Sequence, residues 1–291
     1  MNTAASGSTP HRAERVRELV TSRDGHDMAS MRAAQNDVLD PAFARLQILM
    51  VAAAQAGGEV DHALLDKLTV WDSQMRADAA EPLIFTAWVR EAVKAIYQDD
   101  LGPAFPVFFD ARAPALTRLL EGNAKGRDWC DDRATAARES CGSVLAGALK
   151  SALGDLERRY GPDRTKWRWG AAHVALGEHR PFGLMGGRIA QFFNVEVPSP
   201  GGAFTLNRGK MEFGAEQPFA NRHASSYRAI YDLADLDASL YIHTTGQSGN
   251  PFSPLYRSFA ERWAKGEYIT IATKRADIDK AAVGTWKLAP R

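Results

Sequence analysis

Ser248 is the first residue to weigh as a nucleophile, because it sits in Gly246-Gln247-Ser248-Gly249 just beyond a run with strand character. A nucleophile elbow needs glycine two residues before and two after its serine, at a turn from strand to helix. Here the second glycine follows the serine directly and Asn250-Pro251 comes next, so the motif reads as a turn. Of the seven histidines, His173, His179, His223 and His243 show no i, i+4 pairing or other dense ligand spacing, and no metal site is expected from them. His173 follows a strand-like run, Trp167 to Ala171, and is expected to be a hydrogen-bonded, partly buried residue and not a base. Cys130 and Cys141 are the only cysteines, either two buried thiols or one disulfide. An unbroken helix would hold them about 16 Å apart, too far to bridge, so a disulfide requires a loop from Cys130 to about Thr135. The disulfide is the favoured reading and implies an oxidising compartment such as the periplasm. Trp167, Trp169, Tyr227, Tyr231 and Trp263 read as core and sheet-face residues, not as a ligand cage.

The elements that must position these residues divide into two textures. From Arg12 to about Tyr97 apolar residues recur at helical spacing, as in Val16, Leu19 and Val20, or Phe43, Leu46 and Met50. Thr69 to Asp78 is a polar break, and Pro82 suits the first turn of a helix through Phe85, Trp88, Val89 and Ile96. Gly102, Pro103 and Pro106 end that helix. A short helix near Pro114 to Leu120 precedes a glycine-bearing loop from Glu121 to Asp132. Thr135 is the expected N-cap of the next helix, which stops at Gly161-Pro162. Beyond Trp167 short β-rich runs lie between glycine and proline turns: Ala203 to Leu206, Tyr227 to Leu233, Ser239 to Thr245 and a last strand at Tyr268 to Ala272. A short helix is expected at Pro254 to Ala264. The fold class is therefore α+β, mainly helical over 12–162 and mainly β over 163–272. A ragged start covers 1–11 and a C-terminal tail 273–291.

The formal net charge is +1, from 36 basic and 35 acidic residues spread along the chain, which provides no broad field for nucleic acid or an anionic membrane. No apolar run reaches the roughly 20 residues of a spanning helix, and no signal peptide follows Met1. Residues alone lead only to a soluble α+β domain.

A long ordered series of local motifs goes further. It opens with Arg12-Ala13-Glu14-Arg15-Val16-Arg17-Glu18-Leu19, then Trp71-Asp72 with Met75, Asp78, Pro82 and Trp88, then Trp129-Cys130-Asp131-Asp132 and Glu139-Ser140-Cys141. Arg159-Tyr160-Gly161-Pro162-Asp163, Trp167-Arg168-Trp169-Gly170 and His173 follow, then Pro198-Ser199-Pro200-Gly201-Gly202 with Thr205-Leu206-Asn207-Arg208-Gly209. The most specific block holds Arg222-His223, Ser226-Tyr227-Arg228, Asp232-Leu233, Asp237, Gly246-Gln247-Ser248-Gly249-Asn250-Pro251, Ser253-Pro254, Trp263 and Gly266-Glu267-Tyr268. In this order, over nearly the whole chain, the motifs resemble the β-chain of penicillin acylases and acyl-homoserine-lactone acylases.

The resemblance implies the C-terminal part of an N-terminal-nucleophile hydrolase αββα sandwich. It also implies a self-cutting precursor that frees a serine whose α-amine is the base for its own hydroxyl; an oxyanion hole stabilises the intermediate and water releases the acid. That serine begins the family's β-chain, upstream of the part matched here, so no catalytic residue is expected in this chain. The oxyanion asparagine and the carboxylates of a structural calcium site would also lie upstream. Arg12 aligns with the arginine that orders that asparagine; otherwise it is a solvated residue opening a helix. Asn207, His223, Tyr227 and Gln247 are expected to support the sandwich. Leu255 departs from the family's Ser-Pro-His-Tyr turn, which weakens any polar network there. The expected partners are an upstream nucleophile-bearing segment or α-chain and a small N-acyl amide. The expected compartment is the periplasm, and the isolated chain should be inactive. The alternative is an inactive acyl-binding or scaffold domain.

Overall fold

The computed structural model describes residues 10–124 and 127–290, so the expected start at 1–9 and part of the Glu121–Asp132 loop lie outside the described residues. The helices of the first half form as their caps and periodicity dictate. Asp40 and Asp61 accept hydrogen bonds from the backbone amides of Phe43 and Leu64, fixing the starts of α3 (Pro41–Gly57) and α4 (His62–Val70). Two shorter helices precede them, α1 (His11–Thr21) and α2 (Met28–Gln35). Pro82 sits in the first turn of α5 (Glu81–Leu101), and Gly102, at φ +47°, follows its last residue.

Two minor helices, α6 (Phe105–Phe108) and α7 (Ala113–Leu120), lead to α8 (Cys141–Tyr160). Its N-cap is Ser140 and not Thr135: the Ser140 hydroxyl accepts from the Ser143 amide and Ser143 returns the bond. Thr135 instead donates to the Glu139 carboxylate inside the preceding loop. That loop joins Cys130 and Cys141 in a disulfide, Cα to Cα 5.0 Å.

α5 is buried around most of its circumference, with Leu83, Phe85, Trp88, Val89, Ala92, Val93 and Ile96 fully enclosed, because α3, α4 and α8 pack against it or beside it. The Trp88 indole donates to the Leu145 carbonyl across the α5–α8 contact. Where α8 begins against the end of α3, a Cβ on Gly57 would lie 1.9 Å from the Gly142 carbonyl carbon. Only glycine at both positions lets these backbones approach so closely.

All the described strands lie in the second half, as expected, but they are short. They are β1 (Val174–Gly177), β2 (Val195–Pro198), β3 (Gly209–Lys210), β4 (His223–Ala224), β5 (Tyr227–Ile230), β6 (Leu240–His243) and β7 (Ile269–Thr270), in antiparallel sheets β1–β2, β3–β4 and β5–β6–β7. The segments between them are largely turns. Two expected strands are absent: Ala203–Leu206 is a bent loop held by the Thr205 hydroxyl, and Trp167–Ala171 leads into a helical turn, α9 (Trp169–Ala172). The helix expected over Pro254–Ala264 is confined to α11 (Ala260–Ala264). An excursion between β1 and β2 carries α10 (Gly187–Phe193), and α12 (Arg275–Ala281) lies in the tail.

Two cores result. The larger joins α3, α4, α5 and α8 to Trp169, Phe204, Met211, Phe213 and Phe219. The smaller gathers Val195, Val197, Ile230, Ile242, Ala260, Trp263 and Tyr268, with Met28 and Met31 of α2 packed on it. Among the described residues no helix is long and apolar enough to cross a membrane.

Candidate functional site

The site is built around Arg228. Strand alternation on β5 turns Tyr227 outward and Arg228 and Ile230 inward, leaving Arg228 only 4% exposed. Its guanidinium lies over the Trp263 ring, 4.7 Å from the centroid, and donates to Asn36 Oδ1 at 3.0 Å, the Trp263 carbonyl at 2.9 Å and Asn207 Oδ1 at 2.8 Å. Among the described residues no carboxylate pairs with it, and burial lowers its pKa to about 10. A buried cation held only by amide oxygens, a backbone carbonyl and an aromatic face is a positioning device: it fixes both asparagines at once.

Those asparagines line a cleft of about 860 Å³. β2, Arg76–Asp78, Pro200 and α11 also line it. α1 is tied to the neighbouring chain by Arg15, which grips Asp37 at 2.6 Å. Arg12, half-buried on the same helix, has no hydrogen-bond or ion-pair partner among the described residues; burial first and the Arg208 charge second hold its pKa below the usual arginine range. Arg12 is thus partly enclosed, with the Arg208 charge near it.

The other residues expected to matter fall in separate places. Asn207 is buried in the Arg228 network. Tyr227 and Gln247 both touch Tyr241 on the three-stranded sheet: Tyr227 shares a 2.6 Å hydrogen bond with Tyr231 and its ring lies tilted 5.3 Å from that of Tyr241, whose hydroxyl accepts from Gln247 at 3.4 Å. His223 is exposed on β4, apart from both groups. Ser248 accepts from the Asn250 amide in a local turn, with no base on it. His173 is fully buried, stacked on Trp169 at 4.4 Å, and its Nδ1 meets the Phe219 carbonyl at 2.7 Å; burial lowers its pKa to about 4. Gly209 makes room for this ring, since a Cβ there would stand 2.0 Å from Nε2. Among the described residues no three His, Cys, Asp or Glu side chains converge as metal ligands.

Arg228 stands in the Ser226-Tyr227-Arg228 block of the sequence without a sign there that it organises a site, and Asn36 stands in none of the motifs. The β-alternation that buries Ile230 also buries Arg228, and that was the available signal. Asn36 is brought to the site by α2, and nothing local announces it.

Ser248, in a plain turn, and His173, sealed in the core, therefore do not meet as nucleophile and base. The family model for penicillin amidase matches residues 2–280, and the chain belongs to that family. Among curated relatives it is 25% identical to the acyl-homoserine lactone acylase QuiP of Pseudomonas aeruginosa, over 93% of this chain and 35% of that protein. It is 30% identical to QuiP of Pseudomonas syringae pv. tomato, over 96% of this chain and 36% of that protein. Penicillin acylase 2 proenzyme of a Pseudomonas sp. is 23% identical over 97% and 35%. The thermostable penicillin G acylase from Alcaligenes faecalis superposes with a TM-score of 0.60 at 16% identity, covering 100% of this chain and 54% of that one. The chain thus spans about a third of the length of the curated relatives it matches.

Proposed function

We propose that this chain is the C-terminal framework of a penicillin-acylase-type amidohydrolase that cleaves the linear amide of N-acyl compounds. The nucleophile in this reading is an N-terminal serine supplied by an upstream segment, and the chain by itself has no turnover. The observation that carries the proposal is the family match over residues 2–280. It is joined to the placing of Ser248 in a local turn, of His173 in the core, and of the Ser30 hydroxyl, 3.3 Å from His26 Nδ1, in the exposed capping box of α2. N-acyl-homoserine lactones are preferred to β-lactam side chains as substrates, because several of the matched relatives are named as lactone acylases.

Within the enzyme, Arg12 acts from α1. In this reading its guanidinium, with no acceptor among the described residues, holds the side chain of an oxyanion-binding asparagine on the upstream segment. A structural calcium site belongs to that segment as well. The Cys130–Cys141 disulfide supports a periplasmic location.

The test is hydrolysis of an N-acyl-homoserine lactone, followed by release of the fatty acid. The probe partner is the part of Pseudomonas syringae pv. tomato QuiP that precedes the matched third. The chain alone should release nothing, and chain and partner expressed together should release acid. Turnover by the purified chain alone, or none by the pair, would contradict the proposal.

A further inference from the structure

β2 is an edge strand, and the direction of its free backbone groups follows from its register with β1. The two strands pair Ala175 with Val197 and Gly177 with Val195, and the Ser199 amide donates to the His173 carbonyl at 3.2 Å. In an antiparallel pair hydrogen-bonded and non-bonded positions alternate, so residues 195, 197 and 199 bond to β1 while Glu196 and Pro198 turn their backbone groups away. The partner strand shows the same phase: the Leu176 amide donates to the Asn221 carbonyl at 3.0 Å and the Val174 carbonyl accepts from the Asn221 amide at 2.9 Å, both on the side away from β2.

The Glu196 N–H, the Glu196 carbonyl and the Pro198 carbonyl therefore face outward at a strand that lines the 860 Å³ cleft, and among the described residues none has a partner. Asn207 adds a fourth group. It is 3% exposed and lines the same cleft; Arg228 occupies its Oδ1, and its Nδ2 donor has no acceptor among the described residues. Two carbonyl acceptors and two N–H donors along one trough form a set that matches another backbone, not a small anion or a lone apolar chain.

We propose that the outer edge of β2 binds an extended strand of the nucleophile-bearing segment, with Asn207 bonding a backbone carbonyl of that strand. This rests on the acylase reading above. The occupant follows from length: the relatives carry about two thirds of their residues outside the region matched here, and an open edge in a cleft is where such a segment gains backbone bonds. Val195 and Val197 point into the core beneath α11, so the edge is presented by buried neighbours and is not a frayed end.

The experiment is hydrogen exchange on the chain, free and in complex with the preceding part of Pseudomonas syringae pv. tomato QuiP. The Glu196 amide should exchange freely in the isolated chain and become at least tenfold slower in the complex. Glu196→Pro removes only an outward N–H and should leave the free chain's melting unchanged while weakening the complex about tenfold; Glu196→Gln, which keeps the N–H, should bind as the parent does. A complex in which Glu196 exchanges as fast as in the free chain overturns the proposal even if it hydrolyses substrate, and so does failure to form any complex. Protection at Glu196 without hydrolysis would uphold the edge and instead overturn the acylase reading.

Discussion

His173 carries a pH dependence of its own. Its folded pKa lies near 4, below the ordinary 6.5, because the buried ring loses its hydration, an effect that the bond from Nδ1 to the Phe219 carbonyl only partly offsets. Unfolding lets the ring take up a proton, so its contribution is complete above pH 6.5 and is lost as pH falls towards 4. The loss at pH 5 amounts to about 2 kcal/mol. Asp40 has the opposite sign: burial lifts its pKa to about 7, so its contribution is complete at low pH and is lost as pH rises through 7. Urea unfolding of the parent and His173→Gln at pH 7 and pH 5 separates the two, since Asp40 is common to both proteins. The parent's advantage should shrink by about 2 kcal/mol at pH 5, and a difference independent of pH would contradict the account. Arg228 offers a second test, because Arg228→Met leaves Asn36, Asn207 and the Trp263 carbonyl without their donor. The expected cost is about 3 kcal/mol in chemical denaturation. Arg12→Ala, in contrast, should leave melting within a degree or two of the parent. In the assembled enzyme it should lower kcat at least tenfold with little change in KM, since an oxyanion contact strengthens in the transition state.

At the scale of elements, the disulfide loop sets where α8 can start. Glu139 receives Thr135's hydroxyl and the Asp132 amide, and its own amide donates to Asp131, so residues 131–139 close on themselves between the two sulfurs. Closing a loop of this length removes about 3 kcal/mol of chain entropy from the unfolded state. Cys141→Ser should lower stability by about that amount, read by thermal unfolding without reductant; a change below about 0.5 kcal/mol would show that the loop's polar bonds suffice. The requirement for a loop was legible from the cysteine spacing. The helix start was not, because Thr135 and Ser140 are both good caps by type, and the choice depends on Glu139 capturing Thr135. Pro82 and Gly161 were legible for the converse reason: their backbone limits act locally, whatever packs around them. The strands were overestimated in length because strand extent depends on partners distant in sequence. β1 ends where Gly177 meets Val195 across an excursion, and Trp167–Trp169 follows the helical core and not a sheet.

Over the whole molecule, the helical core is closed and the strand-bearing half is open. α3, α5 and α8 enclose one another, but β2 retains a bare edge, and Phe182, Leu184, Met185, Ile189 and Phe192 stand exposed on the excursion beside it. Under the proposed role, this is the face that a nucleophile-bearing neighbour would cover. The family was legible because its motifs are local and ordered along the chain. The cleft was not, because Asn36, just past α2, and Asn207, in a loop, are joined only by folding, through Arg228 of β5.

The most direct test of this framework role is to treat the assembled enzyme with a serine-directed sulfonyl fluoride and weigh each chain by mass spectrometry. The label should fall on the N-terminal serine of the partner, abolish hydrolysis and leave this chain at its parent mass. A sulfonyl adduct on this chain, at Ser248 or any other serine, with loss of activity, would contradict it.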